Sequence, residues 1–247
     1  MAEGRSTGKV VIVTGGGSGI GAATAHRFGA EGATVVITGR TQEKLDKVVA
    51  DAPSGATLVA RVADTSDEQA VSQLIRDVVA EHGRLDTLVN NAGSFLAKPF
   101  TAYTDDDFAA MVGLNLAGFF GITRRAVATM LEQGGGHVVT LTTSLVDHPM
   151  RAVPSVLASL TKGGLDAATR SLAIECAGSG VRVNAVSPGI IKTPMHPVEA
   201  HEAYAGLHPL GRMGEIDEIV HAVLYLESAT FVTGETLHVD GGQSAGH

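Results

Sequence analysis

The sequence predicts a doubly wound α/β domain, a parallel sheet with helices on both faces. Three observations carry this. Short runs rich in Val, Ile and Thr alternate with longer stretches of helical period along the chain. Those runs are apolar almost throughout, as strands covered on both faces are. No Pro-rich linker, low-complexity block or composition break divides the 247 residues, so a single domain over 1–247 is expected.

In order, strands are expected at 9–14 (KVVIVT), 33–38 (ATVVIT), 57–62, 86–90 (DTLVN), 136–142 (GHVVTLT), 181–186 (VRVNAV) and 235–239 (ETLHV). Helices fit between them at about 19–31, 42–51, 67–82, 105–133, 156–178 and 215–227. The irregular stretch is 192–214, which contains Pro194, Pro197 and Pro209. It follows the sixth strand, at the carboxyl edge where ligands bind in such sheets, and is expected to form a substrate lid.

Composition narrows the function classes. Hydrophobic residues make up 44% and mean hydropathy is +0.19, which suits a globular chain. Net charge is 18 − 26 = −8, and aromatics are scarce, with no Trp, seven Phe and three Tyr (Tyr103, Tyr204 and Tyr225). An acidic, aromatic-poor chain makes a poor phosphate-backbone or base-stacking surface, so nucleic acid is not an expected partner. The one cysteine, Cys176, excludes an intrachain disulfide and reads as a small buried thiol. Residues 1–9 are polar, and no apolar run approaches the ~20 residues of a membrane span, so the expectation is a cytoplasmic protein without membrane contact.

The chemistry begins after the first strand, at Thr14-Gly15-Gly16-Gly17-Ser18-Gly19-Ile20-Gly21, which leads into a helix. Glycines there allow a tight turn and close approach of backbone to a pyrophosphate, and the helix start offers free N–H groups. The second strand ends in Thr38-Gly39-Arg40. An NAD site carries an acid about 20 residues after the glycines to hold the ribose 2′-OH. No acid stands at 37–40, and Arg40 could pair with a 2′-phosphate, with Thr38 adding a hydroxyl. NADP(H) is therefore expected over NAD; the plainer reading of Arg40 is a solvated residue before a helix. Asp64, after the third strand, either accepts from an adenine amino group or caps the next helix.

With Asn90-Asn91-Ala92-Gly93 closing the fourth strand, the chain resembles the short-chain dehydrogenase/reductase superfamily over essentially its full length. The glycine turn, the NNAG tetrad, Asn115 in LNLAGFF, Thr142-Thr143-Ser144, Lys162 in LTKGGL, Ser187-Pro188-Gly189 with Lys192-Thr193, and the ending VDGG carry the resemblance in order. It implies a Rossmann-like sheet of seven parallel strands in the order 3-2-1-4-5-6-7, and a homotetramer. It also implies roles. Gly15, Ser18, Gly19, Ile20 and Gly21 would line the pyrophosphate and ribose. Asn91 and Gly93 would lie on the adenosine side, and Pro188, Gly189, Ile191 and Thr193 on the nicotinamide side. Lys162 would hold ribose hydroxyls, Asn115 a water in a proton relay, and Ser144 the substrate oxygen.

One departure stands out. The family's acid is a tyrosine four residues before the lysine, and here that position is Ala158. The i, i+4 spacing puts Ala158 and Lys162 on one helix face, but a methyl group donates no proton. Ser144 also stands fourteen residues before Ala158, one more than is common, which leaves Thr143 as an alternative. Three explanations compete: an engineered knock-out of an ordinary reductase; a natural variant with another acid (His148, His196 or a Lys162–Asn115 relay) or with an imine substrate that needs none; and a silent nucleotide-binding protein. His196, His201 and His208 lack the spacing of a helical ligand pair, so no metal site is expected. The expectation is an NADP(H)-preferring oxidoreductase acting on a small carbonyl/alcohol or imine/amine pair.

Overall fold

The computed structural model describes residues 6–246, so the reading of the polar first residues lies partly outside it. Seven strands form: β1 (Val10–Thr14), β2 (Thr34–Gly39), β3 (Thr57–Val62), β4 (Thr87–Asn90), β5 (Gly136–Leu141), β6 (Val181–Pro188) and β7 (Thr236–Val239). All pairs are parallel and the order is β3-β2-β1-β4-β5-β6-β7, as expected. The helices are α1 (Gly19–Ala30), α2 (Gln42–Ala50), α3 (Glu68–His82), α4 (Asp105–Met111), α5 (Gly118–Gln133), α6 (Val156–Cys176), α7 (His201–Ala205) and α8 (Ile216–Ser228).

Alternation along the strands sorts the core into two layers. In β1, Val10 and Ile12 face one side, where they meet Leu74 and Val78 of α3, Ile122 and Met130 of α5, and Ala173 and Cys176 of α6. Val11 and Val13 face the other, against Phe28 of α1, Leu45 of α2 and Ile219 and Val223 of α8. Apart from Phe28, both faces are filled by non-aromatic apolar side chains, which is how a sheet with so few aromatics is covered. No helix among the described residues is long and apolar enough to cross a membrane.

Two stretches differ from the expected elements. The helix expected over 105–133 is interrupted by a π-turn at Val112–Ala117 between α4 and α5. Such turns carry one extra residue and cannot be read from hydrophobic period. Within 192–214 only a 3₁₀ turn (Val198–Ala200) and the five-residue α7 are regular. The base of that segment is closed by main-chain bonds, Lys192 N–H to Gly214 O at 2.9 Å and Gly214 N–H to Ile190 O at 3.0 Å.

Candidate active site

The site is assembled at the carboxyl ends of β1, β4, β5 and β6. After β1 the chain turns through Gly15 (φ 63°) and Gly19 (φ 53°), left-handed conformations that favour glycine. A Cβ on Gly21 would lie 2.4 Å from the Gly15 carbonyl oxygen and 2.5 Å from Asn91 Nδ2, so the turn presses against the helix start. Ser18 stands at the N-cap of α1 in extended conformation, with its hydroxyl unused by the cap. The tetrad after β4 holds this turn: Asn91 Nδ2 donates to Thr14 O and Gly15 O at 2.9 and 3.1 Å. Thr14 Oγ1 in turn accepts from the N–H groups of Asn91 and Ala92. A bare-backbone cradle before a twelve-residue helix fits a dinucleotide's pyrophosphate.

On the β2–β3 side, Arg40 is exposed and its charge bears on Asp64. Hydrogen bonds from the Ser66 hydroxyl and N–H, at 2.7 and 2.9 Å, are the main cause that holds Asp64 below the usual carboxylate range. The cap of α3 is Asp67, whose carboxylate accepts from Gln69 and Ala70 N–H. Thr38 corrects one expectation: it is fully buried and its hydroxyl donates to Ala63 O, so it is not available to a 2′-phosphate.

On the β5 side, α6 brings Lys162 to the strand end, where Nζ donates to Leu141 O (3.0 Å) and Thr142 O (3.2 Å). Both partners are neutral, and burial of the ammonium pulls it down to about 8. Gly93 sits beside it: a Cβ there would lie 3.2 Å from Asn115 Oδ1 and 3.7 Å from Lys162 Nζ. The π-turn presents Asn115, whose Oδ1 accepts from Ser94 N–H and whose Nδ2 donates to Ser94 O and Thr161 Oγ1. Ser144 is buried and its hydroxyl has no hydrogen-bond partner among the described residues. Thr143 Oγ1, by contrast, accepts from Leu145 N–H.

A cavity of about 500 Å³ joins these parts. Of the residues singled out by sequence, Gly15, Ser18, Gly19, Ile20, Asn91, Gly93, Ser144, Lys162, Pro188, Gly189, Ile191 and Thr193 line it. Gly21, Arg40, Asp64, Asn115 and Ala158 do not. Ala158 is fully buried in an apolar cluster with Met111 and Leu157, against which Phe95, Leu96 and Tyr103 pack. His196 and Tyr204 reach the cavity from the 192–214 segment, whereas His148 does not line it.

Sequence weighed His208 only as a metal ligand and did not single out Gln243. His208 is buried; its Nδ1 donates to Tyr204 O and its Nε2 accepts from Ile190 N–H, tying α7 to the exit of β6. Gln243 is fully buried, lines the cavity, and neither amide atom has a hydrogen-bond partner among the described residues. No local signal marks either one, since each acts across the fold. Among the described residues no group of three or more His, Cys, Asp or Glu is arranged to hold a metal.

Comparison with known proteins gives one consistent picture. A family model described as Enoyl-(Acyl carrier protein) reductase matches residues 15–244. The 3-oxoacyl-(acyl-carrier-protein) reductase FabG of Thermotoga maritima is 36% identical, over 96% of this chain and 98% of its own. Glucose 1-dehydrogenase of Gluconobacter oxydans is 37% identical, over 96% of this chain and 92% of its own. A short-chain type dehydrogenase/reductase from Mycobacterium ulcerans superposes with a TM-score of 0.88 at 31% identity, over 97% of this chain and 90% of that one. With the sheet order, the glycine turn and Lys162 at the end of β5 already in place, the chain belongs to the short-chain dehydrogenase/reductase superfamily, as an NAD(P)-dependent oxidoreductase.

Proposed function

We propose that the chain is an NADP(H)-preferring oxidoreductase acting on a small carbonyl/alcohol or imine/amine pair, without the tyrosine its family uses as acid. One observation carries this reading. A single cavity brings the glycine turn, the Lys162 ammonium and the unpartnered Ser144 hydroxyl together. A bound nicotinamide supplies or takes the hydride. The chain's own residues do the rest.

The turn from Gly15 to Gly21 and the start of α1 bind the pyrophosphate. Arg40 pairs with a 2′-phosphate, and Asp64 accepts from the adenine amino group. Lys162 donates to ribose hydroxyls, and Pro188, Gly189, Ile191 and Thr193 wall the nicotinamide. Ser144 donates its O–H to the substrate oxygen. Asn115, with both arms of its amide engaged, positions Ser94 and α6. The 192–214 segment serves as the lid. Its Lys192 and Arg212 are paired with Glu215 and Glu218, which leaves no basic cluster there for an anionic carrier arm and favours a small free substrate. Ala158 stands where the family tyrosine would. It lies in an apolar cluster on which Phe95, Leu96 and Tyr103 pack. Exposed Phe120 on α5 and Leu160 and Ile174 on α6 support a homotetramer, which light scattering would test.

The test is to titrate NADPH and NADH by fluorescence, then follow absorbance at the nicotinamide band with ketones, aldehydes and cyclic imines, for the chain and for Ala158→Tyr. Binding of neither nucleotide sinks the reading. Equal binding of both removes the NADP(H) preference. Arg40→Ala should weaken NADPH by about 10- to 100-fold, the worth of a charge-assisted hydrogen bond, and leave NADH within a few-fold.

A further inference from the structure

The side chains with exchangeable protons that line the cavity are the hydroxyls of Ser18, Ser94, Thr142, Thr143, Ser144 and Thr193, the amides of Asn91 and Gln243, and Lys162, His196 and Tyr204. Aliphatic hydroxyls and carboxamides are weak acids. Lys162 Nζ is engaged with Leu141 O and Thr142 O, and in the reading above with ribose hydroxyls as well. A phenol gives up its proton near neutral pH only with a cation beside it, and the ring that Tyr204 meets is His196 itself, edge-on at 5.4 Å.

His196 is held differently. Its Nδ1 lies 2.8 Å from Ile191 O, and a carbonyl only accepts, so Nδ1 carries the hydrogen. Thr193 Oγ1 stands 3.5 Å from the same nitrogen. The His196 carbonyl accepts from His201 Nε2 at 3.2 Å, which fixes the main chain. Nε2 makes no hydrogen bond among the described residues. Protonation at Nε2 therefore leaves the Nδ1 anchor intact. That anchor is on Ile191, part of the wall assigned to the nicotinamide, beside which the reacting carbon has to lie.

We infer that His196 is the proton donor to the substrate oxygen, through Nε2, in place of the tyrosine absent at Ala158. The inference rests on the oxidoreductase reading. In the reductive direction the carbonyl carbon gains the hydride supplied by reduced nicotinamide. The C=O π pair forms the new O–H bond as Nε2–H breaks, and neutral imidazole takes a proton back from solvent. A quaternary iminium carbon needs hydride alone, because its nitrogen keeps its substituents and becomes a neutral amine.

This contrast gives the test. Steady-state rates are measured for the chain, His196→Asn, His196→Gln and Tyr204→Phe, with a small ketone and with N-methyl-3,4-dihydroisoquinolinium. The expected result is a fall in kcat for the ketone of about 10²-fold in both His196 variants, with KM within a few-fold and a loss on the iminium at least ten times smaller. Equal losses on both substrates would show a structural role and overturn the inference. So would no loss on the ketone, no ketone turnover by the unaltered chain, or a loss confined to Tyr204→Phe. Turnover of neither substrate fails the oxidoreductase reading and takes the inference with it. Independently of activity, a long-range proton–nitrogen NMR spectrum should show neutral His196 as the Nδ1–H tautomer; the Nε2–H tautomer would overturn the geometry.

Discussion

The amide of Asn91 reaches back across the sheet edge to the carbonyl oxygen of Gly15, 3.1 Å away, so the turn after β1 is held by the residue that follows β4. Replacing Asn91 with Ala removes this bond and the one to Thr14 O. The expected cost is about 1–3 kcal/mol of stability and a roughly tenfold weaker Kd for NADPH. Urea melts and a fluorescence titration on the same preparation check both; unchanged affinity with lowered stability would mean the turn holds its shape alone.

Gly21→Ala acts on the same contact from the other side. Its methyl would come within 2.4 Å of Gly15 O, a main-chain atom that cannot step aside without moving the turn. NADPH affinity should fall at least tenfold while far-ultraviolet circular dichroism stays unchanged, because a clash confined to the turn leaves the strands and helices beyond it in place. Retained affinity would show that the helix start can shift at little cost.

Lys162 predicts a pH dependence. Its ammonium is held at about 8 by burial, below the ~10.4 of a free lysine. In the free chain the buried charge costs stability below about 8, and that cost disappears as pH rises from about 8 to 10.4. Ribose hydroxyls would be held by the charged form, so affinity runs the opposite way. The NADPH Kd should rise several-fold between pH 7 and pH 9.5 in the unaltered chain and stay nearly flat in Lys162→Met. Parallel pH profiles in the two proteins would remove Lys162 from the nucleotide site.

Glu227 anchors the end of α8 beneath the amino edge of the sheet. It accepts from Lys9 Nζ at 2.6 Å, Thr87 Oγ1 at 3.0 Å and His137 Nδ1 at 2.7 Å. Burial pushes the carboxyl up, but the hydrogen bonds from His137 and Lys9 and the charge beside it outweigh that and hold it at about 2, while burial keeps His137 toward its neutral form. Glu227→Gln should cost about 2–3 kcal/mol at pH 7. Because the folded value is depressed, this contribution is complete above about 4.5 and is lost as pH falls toward 2. Urea melts of both proteins should therefore converge as pH falls below about 4.5; a constant gap would mean that Glu227 acts through packing alone.

Much of this was legible in the sequence because it is local. The strand runs and the Gly15–Gly21 turn are written in consecutive residues, and the structure places the strand ends within two residues of the expected positions. What was not legible depends on partners far along the chain. Lys9 and Glu227 are separated by 218 positions, and neither carries a mark of the other. Gln243 is buried where the terminal 3₁₀ turn packs on the one at Ser144–Val146. Ala158 was placed on the face of Lys162 by helical spacing, but its enclosure by Phe95, Leu96 and Tyr103 needed the fold.

The π-turn at Val112–Ala117 makes α4 and α5 two halves of one rod, out of phase by about one residue's rotation, ~100°. The halves serve different clients. Met111 leans on the Ala158 cluster, while Ile122 and Met130 face the sheet. The rod behaves as a coupling with a fixed angular offset: removing a single residue from 112–117 would bring both ends into step and point one of them away from its client. Substitutions in this stretch other than at Asn115 are therefore tolerable in a way that length changes are not, and the seating of the Ala158 cluster is stored in a residue count.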